Sequence, residues 1–209
     1  MITPLVLCEM LPCGCFLSPL GQDDPGDGVL IHQKDHDILE TYNRLFNELL
    51  PLFVPNRIME IGVNRGGSLA MWRHRFHCEV LGIDTVDNVS PAMKAHLHHV
   101  DRILLTQADA TDSGLMSRFD NRVPSLDLII DDGSHRFSDI LSAFRILWGH
   151  VRTGGLYVIE DWRSDEGNYP ELSRWLLGQL VGHWPSKGLP PDAPKCIHYF
   201  RDLIVLEKQ

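Results

Sequence analysis

The sequence predicts one open α/β domain: a doubly wound, mostly parallel sheet of seven strands, Rossmann-like, finished by a C-terminal antiparallel hairpin. Three observations predict it. Short apolar runs alternate with longer stretches of helical periodicity, as happens when parallel strands are buried under helices on both faces. A glycine-rich turn, Gly62 to Gly67, follows the first of these runs and opens a helix. Near the C-terminus, Lys195 to Phe200 and Leu203 to Glu207 are apolar runs separated only by Arg201 and Asp202, the spacing of a hairpin.

Residues 1–30 read as an N-terminal arm, loosely ordered or an oligomer contact. Met1 to Leu20 is moderately apolar but carries Glu9 and three prolines, with no basic start and no long apolar run, which argues against a signal peptide or membrane helix. Gly21 to Gly28 is dense in turn formers and divides the arm from a helix over 33–53. There Ile38, Tyr42, Leu45, Phe46, Leu49 and Leu50 recur at helical spacing and form one stripe to bury, and Val54, Pro55 and Asn56 end the helix. Strands are expected at Arg57 to Ile61, Glu79 to Asp84, Arg102 to Gln107, Leu126 to Asp131 and Leu156 to Glu160, with crossover helices near 67–77, 91–99, 112–119 and 137–150. The remainder of the chain, 31–209, is one domain, interrupted at 162–194 by five prolines and four glycines around an amphipathic stretch from Glu171 to Leu180. That insertion has the composition of a lid.

Composition narrows the function. At 209 residues and 44% hydrophobic the chain can build one sizeable core. A formal net charge of −9 argues against a nucleic-acid partner, whose phosphates need clustered Lys and Arg. Arg57, Arg65, Arg73 and Arg75 lie close together as either a local basic groove or a solvated helix face. Five cysteines without a paired C-x-x-C suit reduced thiols, hence a cytoplasmic protein without a disulfide framework or zinc ribbon.

The glycine turn carries the first chemical signal. Glu60, Gly62, Asn64, Gly66 and Ser68 stand in the pattern E-x-G-x-x-x-G-G, and Asp84 ends the second strand 24 residues after Glu60. A carboxylate there can accept both hydroxyls of a ribose, and the helix start offers free N–H groups to a carboxylate. A nicotinamide site would prefer G-x-G-x-x-G. An acid two positions before the first glycine suits the ammonium of a bound amino acid better than an anionic pyrophosphate, so S-adenosylmethionine (SAM) is favoured over NAD, with a bare tight turn as the alternative. Asp109, after the third strand, is either an acceptor for the adenine amino group or a solvated turn residue.

The second signal is acidic. Strand four runs into Asp131, Asp132, Gly133, Ser134 and His135, and strand five into Glu160, Asp161 and Trp162, so these groups converge on the rim where open α/β sheets bind ligands. Carboxylates packed this closely repel unless a cation lies between them, and an oxygen-only set suits Mg²⁺ or another hard divalent ion. His135, three residues after Asp132, is placed to accept the proton of a substrate hydroxyl. Turn and capping chemistry is the plain alternative for Asp131 and Asp132.

These residues, MEIGVNRGGSLAMW, LGID, DDGSH, EDW and IHYFRDLIVLEK, resemble the class I SAM-dependent sugar O-methyltransferases of macrolide biosynthesis, the mycinamicin and macrocin group, and the neighbouring cephalosporin hydroxylase-like methyltransferases. The resemblance spans roughly residues 34–207. It implies that Asp132, Glu160 and Asp161 are magnesium ligands and that His135 is the general base. It places Glu60, Gly62, Ser68, Asp84 and Asp109 at SAM, to which Asn64, Gly66 and Asp131 are added as candidates from the same loop and rim, and it implies a homo-oligomer. The expectation is a metal-dependent transfer of a methyl group from SAM to a hydroxyl of a sugar or other secondary-metabolite small molecule. A non-catalytic SAM-binding scaffold and a nicotinamide oxidoreductase are the competing classes.

Overall fold

Strand alternation divides this protein into two cores. The computed structural model describes residues 16–18, 29–31, 36–99, 102–122, 125–162, 169–180 and 193–209. Strands β1 (Phe16–Ser18) and β2 (Val29–Ile31) pair antiparallel within the expected arm, most of which lies outside the described residues. The main sheet has the order β5-β4-β3-β6-β7-β9-β8. Its members are β3 (Arg57–Ile61), β4 (Glu79–Asp84), β5 (Ile103–Gln107), β6 (Leu126–Asp131), β7 (Val151–Glu160), β8 (Pro194–Tyr199) and β9 (Leu203–Lys208). The pairs from β5 through β7 are parallel, whereas β9 joins β7 antiparallel and β8 joins β9 antiparallel. This is the doubly wound, seven-stranded arrangement with a terminal hairpin that the sequence predicts.

Successive side chains of a strand point to opposite faces. Ile58, Val80, Leu128, Ile130, Leu156, Val158, Leu203 and Val205 therefore face α1 (His36–Arg44), α2 (Gly67–Phe76) and Leu97 of α3 (Pro91–His99). Met59, Leu81, Ile129, Tyr157, Ile159, Ile204 and Leu206 face the 3₁₀ turn Leu115–Arg122, α4 (Phe137–Leu147) and α5 (Tyr169–Leu180). Each fully buried aliphatic side chain in these layers contributes about 1.5–3 kcal/mol. The helix expected over 33–53 is α1 continued by one wider turn, Leu45–Leu49, which closes with Leu50 N–H donating to the Leu45 carbonyl at 2.8 Å. The helix expected near 112–119 is the 3₁₀ turn instead. β7 begins five residues before the expected Leu156: Val151 to Gly155, assigned to no element in the sequence, continue the strand past an irregularity between Leu126 and Leu128.

At the N-terminal end of the sheet, the Asp127 carboxylate accepts the backbone N–H groups of Asn56 and Arg57 at 3.0 and 2.8 Å and pairs with Arg152. One buried acid thus ties β3, β6 and β7 together, and it leaves their other ends flush at a common rim. Of the expected insertion at 162–194, α5 is described and packs on the core through Leu172 and Leu176, while 163–168 and 181–192 lie outside the described residues.

Candidate active site

The rim at the carboxyl ends of β3, β4, β5, β6 and β7 encloses a cleft of about 760 Å³. Its walls include Gly62, Asn64, Asp84, Asp109, Asp131, Asp132, His135 and Asp161. Three of the wall residues, Asn64 (φ 47°), His135 (φ 57°) and Asp161 (φ 47°), hold left-handed backbone although none is glycine. Such conformations cost about 1–3 kcal/mol each and persist only where the surroundings fix them.

Gly62 (φ 84°) turns the chain out of β3 so closely over the next strand that a Cβ would stand 2.0 Å from the Asp132 carbonyl oxygen. From this loop the Asn64 N–H donates to Asp84 Oδ2 at 2.9 Å, while Asp84 Oδ1 accepts the Val86 N–H at 3.0 Å. Asp109 Oδ1 accepts both the N–H and the hydroxyl of Thr111, at 2.8 and 2.7 Å, which is the local turn weighed as its alternative. Gly66, Ser68 and Glu60 do not line the cleft. A Cβ on Gly66 would press on Leu97 of α3, and Ser68 and Glu60 are buried behind the loop.

Asp131 is buried at the cleft floor, where Tyr157 donates its hydroxyl to Oδ2 at 2.8 Å. Burial pushes the Asp131 carboxyl up to about 6, against the Tyr157 and Gly133 hydrogen bonds that pull it down. Beside it, Asp132, His135 and Asp161, all half-buried, bring one ligand atom each within 4.8 Å of one another. Two hard oxygens and an imbalance of negative charge fit a divalent cation, with the imidazole as a third donor or a neighbouring base.

Glu160, expected with Asp132 and Asp161, is not one of the three side chains that converge within 4.8 Å. As an even-numbered residue of β7 it points to the α1 face, where Tyr42 donates its hydroxyl to Oε1 at 2.6 Å. Burial first, then the charges of Glu160, Glu60 and Asp132, raise the Tyr42 hydroxyl well above its ordinary range and keep it a donor. Sequence reasoning did not pick out Tyr42 or Tyr157 as partners of the site. Tyr157 was within reach of it: alternation puts residue 157 on the same face as Asp131, one strand away.

Residues 59–162, which hold the glycine turn, the cleft floor and Asp161, match the model of a family described as a methyltransferase domain. The chain belongs to that family. This methyltransferase domain is similar to the demethylmacrocin O-methyltransferase of Streptomyces fradiae, 33% identical over 80% of this chain and 47% of that protein. It is also similar to the mycinamicin VI 2''-O-methyltransferase of Micromonospora griseorubida, 34% identical over 71% of this chain and 40% of that one. Among solved structures, MycE methyltransferase of mycinamycin biosynthesis, in complex with Mg and SAH, aligns with a TM-score of 0.60 at 30% identity, over 81% of this chain and 48% of that one. The chain spans about half the length of the curated relatives it matches. Among the described residues no helix is long and apolar enough to cross a membrane.

Proposed function

We propose that this protein is a metal-dependent O-methyltransferase that moves a methyl group from SAM to a hydroxyl of a sugar or other secondary-metabolite small molecule. One observation carries the reading: Asp132, His135 and Asp161 converge within 4.8 Å on the wall of the same cleft that Asn64, Asp84 and Asp109 line. A cleft of about 760 Å³ lies in the range that small-molecule and cofactor sites occupy. In this reading Gly62, Asn64, Asp84, Asp109 and Asp131 meet SAM, while Glu60, Gly66 and Ser68 shape the loop from behind. Asp132 and Asp161 hold Mg²⁺ or another hard divalent cation, and Glu160 adds its charge from the α1 face. His135 accepts the proton of the acceptor hydroxyl, which an imidazole does readily near neutral pH. When bound, the cation would lower the pKa of that hydroxyl and SAM would supply an electrophilic methyl group. The names of the macrocin and mycinamicin relatives, both O-methyltransferases, support the acceptor class. A homo-oligomeric assembly in the cytoplasm belongs to the same reading, and light scattering tests the assembly.

Calorimetry with S-adenosylhomocysteine, NADH and Mg²⁺, followed by mass spectrometry of demethylmacrocin and mycinamicin VI incubated with SAM, tests the proposal. Tight S-adenosylhomocysteine binding and Mg²⁺-dependent methylation are expected, and His135→Ala retains the first while losing the second. Binding of NADH in place of S-adenosylhomocysteine would overturn the reading. Binding without transfer to any offered hydroxyl would favour a non-catalytic scaffold.

A further inference from the structure

Asp161 carries left-handed backbone (φ 47°) at the point where its carboxylate joins Asp132 and His135. A non-glycine residue holds that conformation only under constraint from its neighbours. Two constraints are visible. On the downstream side, the Asp161 N–H donates to the Asp202 carbonyl at 3.0 Å, which fastens it to the turn between β8 and β9. On the upstream side stands Glu160, 1% exposed, with its carboxylate taken by a tyrosine from a helix 118 residues earlier in the chain.

We propose that Tyr42 is a positioning residue of the cation site: by donating its hydroxyl to Glu160 Oε1 it clamps the end of β7 and so fixes Asp161 beside Asp132 and His135. The inference rests on the cation reading above. Tyr42 is itself held. It is 1% exposed, lies edge-on to Trp72 of α2 at 4.8 Å between ring centroids, and stacks with Phe46 at 5.8 Å. Its ring therefore leaves the hydroxyl one place to go. Helix α1, none of whose described side chains lines the cleft, becomes through this bond part of what sets the distance between the two aspartates. Glu160 gains from the bond as well, since a carboxylate buried to 1% exposure needs a donor.

The test measures Mn²⁺ dissociation constants by calorimetry, without SAM or acceptor, for the wild-type chain, Tyr42→Phe and Phe46→Leu. Phe46→Leu loosens the same helix, its stacking contact with the Tyr42 ring included, but leaves in place the hydroxyl that donates to Glu160. Tyr42→Phe is expected to weaken Mn²⁺ binding about tenfold or more, the usual effect of removing a group that orients a metal ligand. Phe46→Leu is expected to lower the melting temperature while leaving Mn²⁺ affinity within twofold. Wild-type affinity in Tyr42→Phe, or an equal loss in Phe46→Leu, overturns the positioning role while the cation reading stands. Failure of the wild-type chain to bind Mn²⁺ overturns both. If Tyr42→Phe does not fold, hydrogen exchange on the wild-type chain decides. Coupling is reciprocal, so Mn²⁺ must slow exchange in 36–49 more than in 115–122, and no such difference rejects the clamp.

Discussion

The backbone N–H of Asn64 donates to Asp84 Oδ2 at 2.9 Å, joining the glycine turn to the end of β4. Asp84 thereby accepts one N–H on each oxygen, from Asn64 and Val86, and still has lone pairs directed at the cleft. In the proposed reading the acid that would receive the ribose hydroxyls is also the acid that holds the loop under the methionine moiety. Asp84→Asn keeps one acceptor oxygen and replaces the other by an amide that repels the facing N–H. Affinity for S-adenosylhomocysteine should fall by about tenfold to a hundredfold, the equivalent of about 1.4–2.8 kcal/mol, as calorimetry would read directly. An unchanged dissociation constant would remove Asp84 from the cofactor site.

Gly62→Ala tests the other side of the same loop. The position is doubly forbidding to a side chain: φ is 84°, and the new Cβ would stand 2.0 Å from the Asp132 carbonyl oxygen, a backbone atom that cannot swing aside. The cost should be about 3 kcal/mol or more of folding stability, from left-handed strain and overpacking together. Since any relief must move Asp132, Mn²⁺ affinity should fall with it. A melting temperature within a degree or two of the wild type, alongside unaltered Mn²⁺ binding, would show that the loop does not approach residue 132 as described.

Much of this was legible because local and global signals agree. The apolar runs at 57–61, 79–84 and 126–131 are strands over those same residues, since each is short, β-branched and bounded by turn formers. Val151 to Gly155 escaped notice for the opposite reason: Gly154, at φ 71°, and Gly155 look like a turn, and only the irregular pairing with β6 keeps them in a strand. The adjacent acids of E-D-W suggest a shared task, yet Glu160 ends β7 on the α1 face and meets Tyr42, while Asp161, turned by its left-handed backbone, joins Asp132 and His135. Tyr42 itself reads as one more residue of an apolar stripe. Nothing in helical periodicity announces that its hydroxyl ends beside a carboxylate from the far end of the chain.

Cys78 offers a pH-dependent check on the packing beneath β4. The thiol is 2% exposed, and burial pushes it up from the ordinary range to about 11. A thiol with a raised value keeps its proton in the folded state, so the native protein loses stability as pH rises from about 9 through about 11, and below about 9 this group has no effect on it. Alkylation requires the thiolate. At pH 8, iodoacetamide followed by peptide mass mapping should modify the half-buried Cys196 well before Cys78, and the Cys78 rate should climb about tenfold per pH unit toward pH 11. Equal labelling of both thiols at pH 8 would contradict the burial of Cys78.

The end of the sheet away from the cleft should separate stability from binding. Asp127, 5% exposed, serves three donors at once: the N–H groups of Asn56 and Arg57 through Oδ2, and the Arg152 guanidinium at Oδ1. Asp127→Ala strands two backbone donors and leaves the part-exposed Arg152 to find water, a loss of about 2–4 kcal/mol, most of it from the buried N–H groups. Urea unfolding should show the midpoint moved down with little change in slope, because the same surface is exposed on unfolding. Below the transition, however, β3, β6 and β7 stay registered through their own ladders, so the distance between Asp132 and Asp161 is preserved. Mn²⁺ affinity of the folded fraction should therefore match the wild type within about twofold. A large affinity loss without a stability loss would mean that the Asp127 cluster steers the rim across the full length of the strands, which parallel pairing alone does not provide.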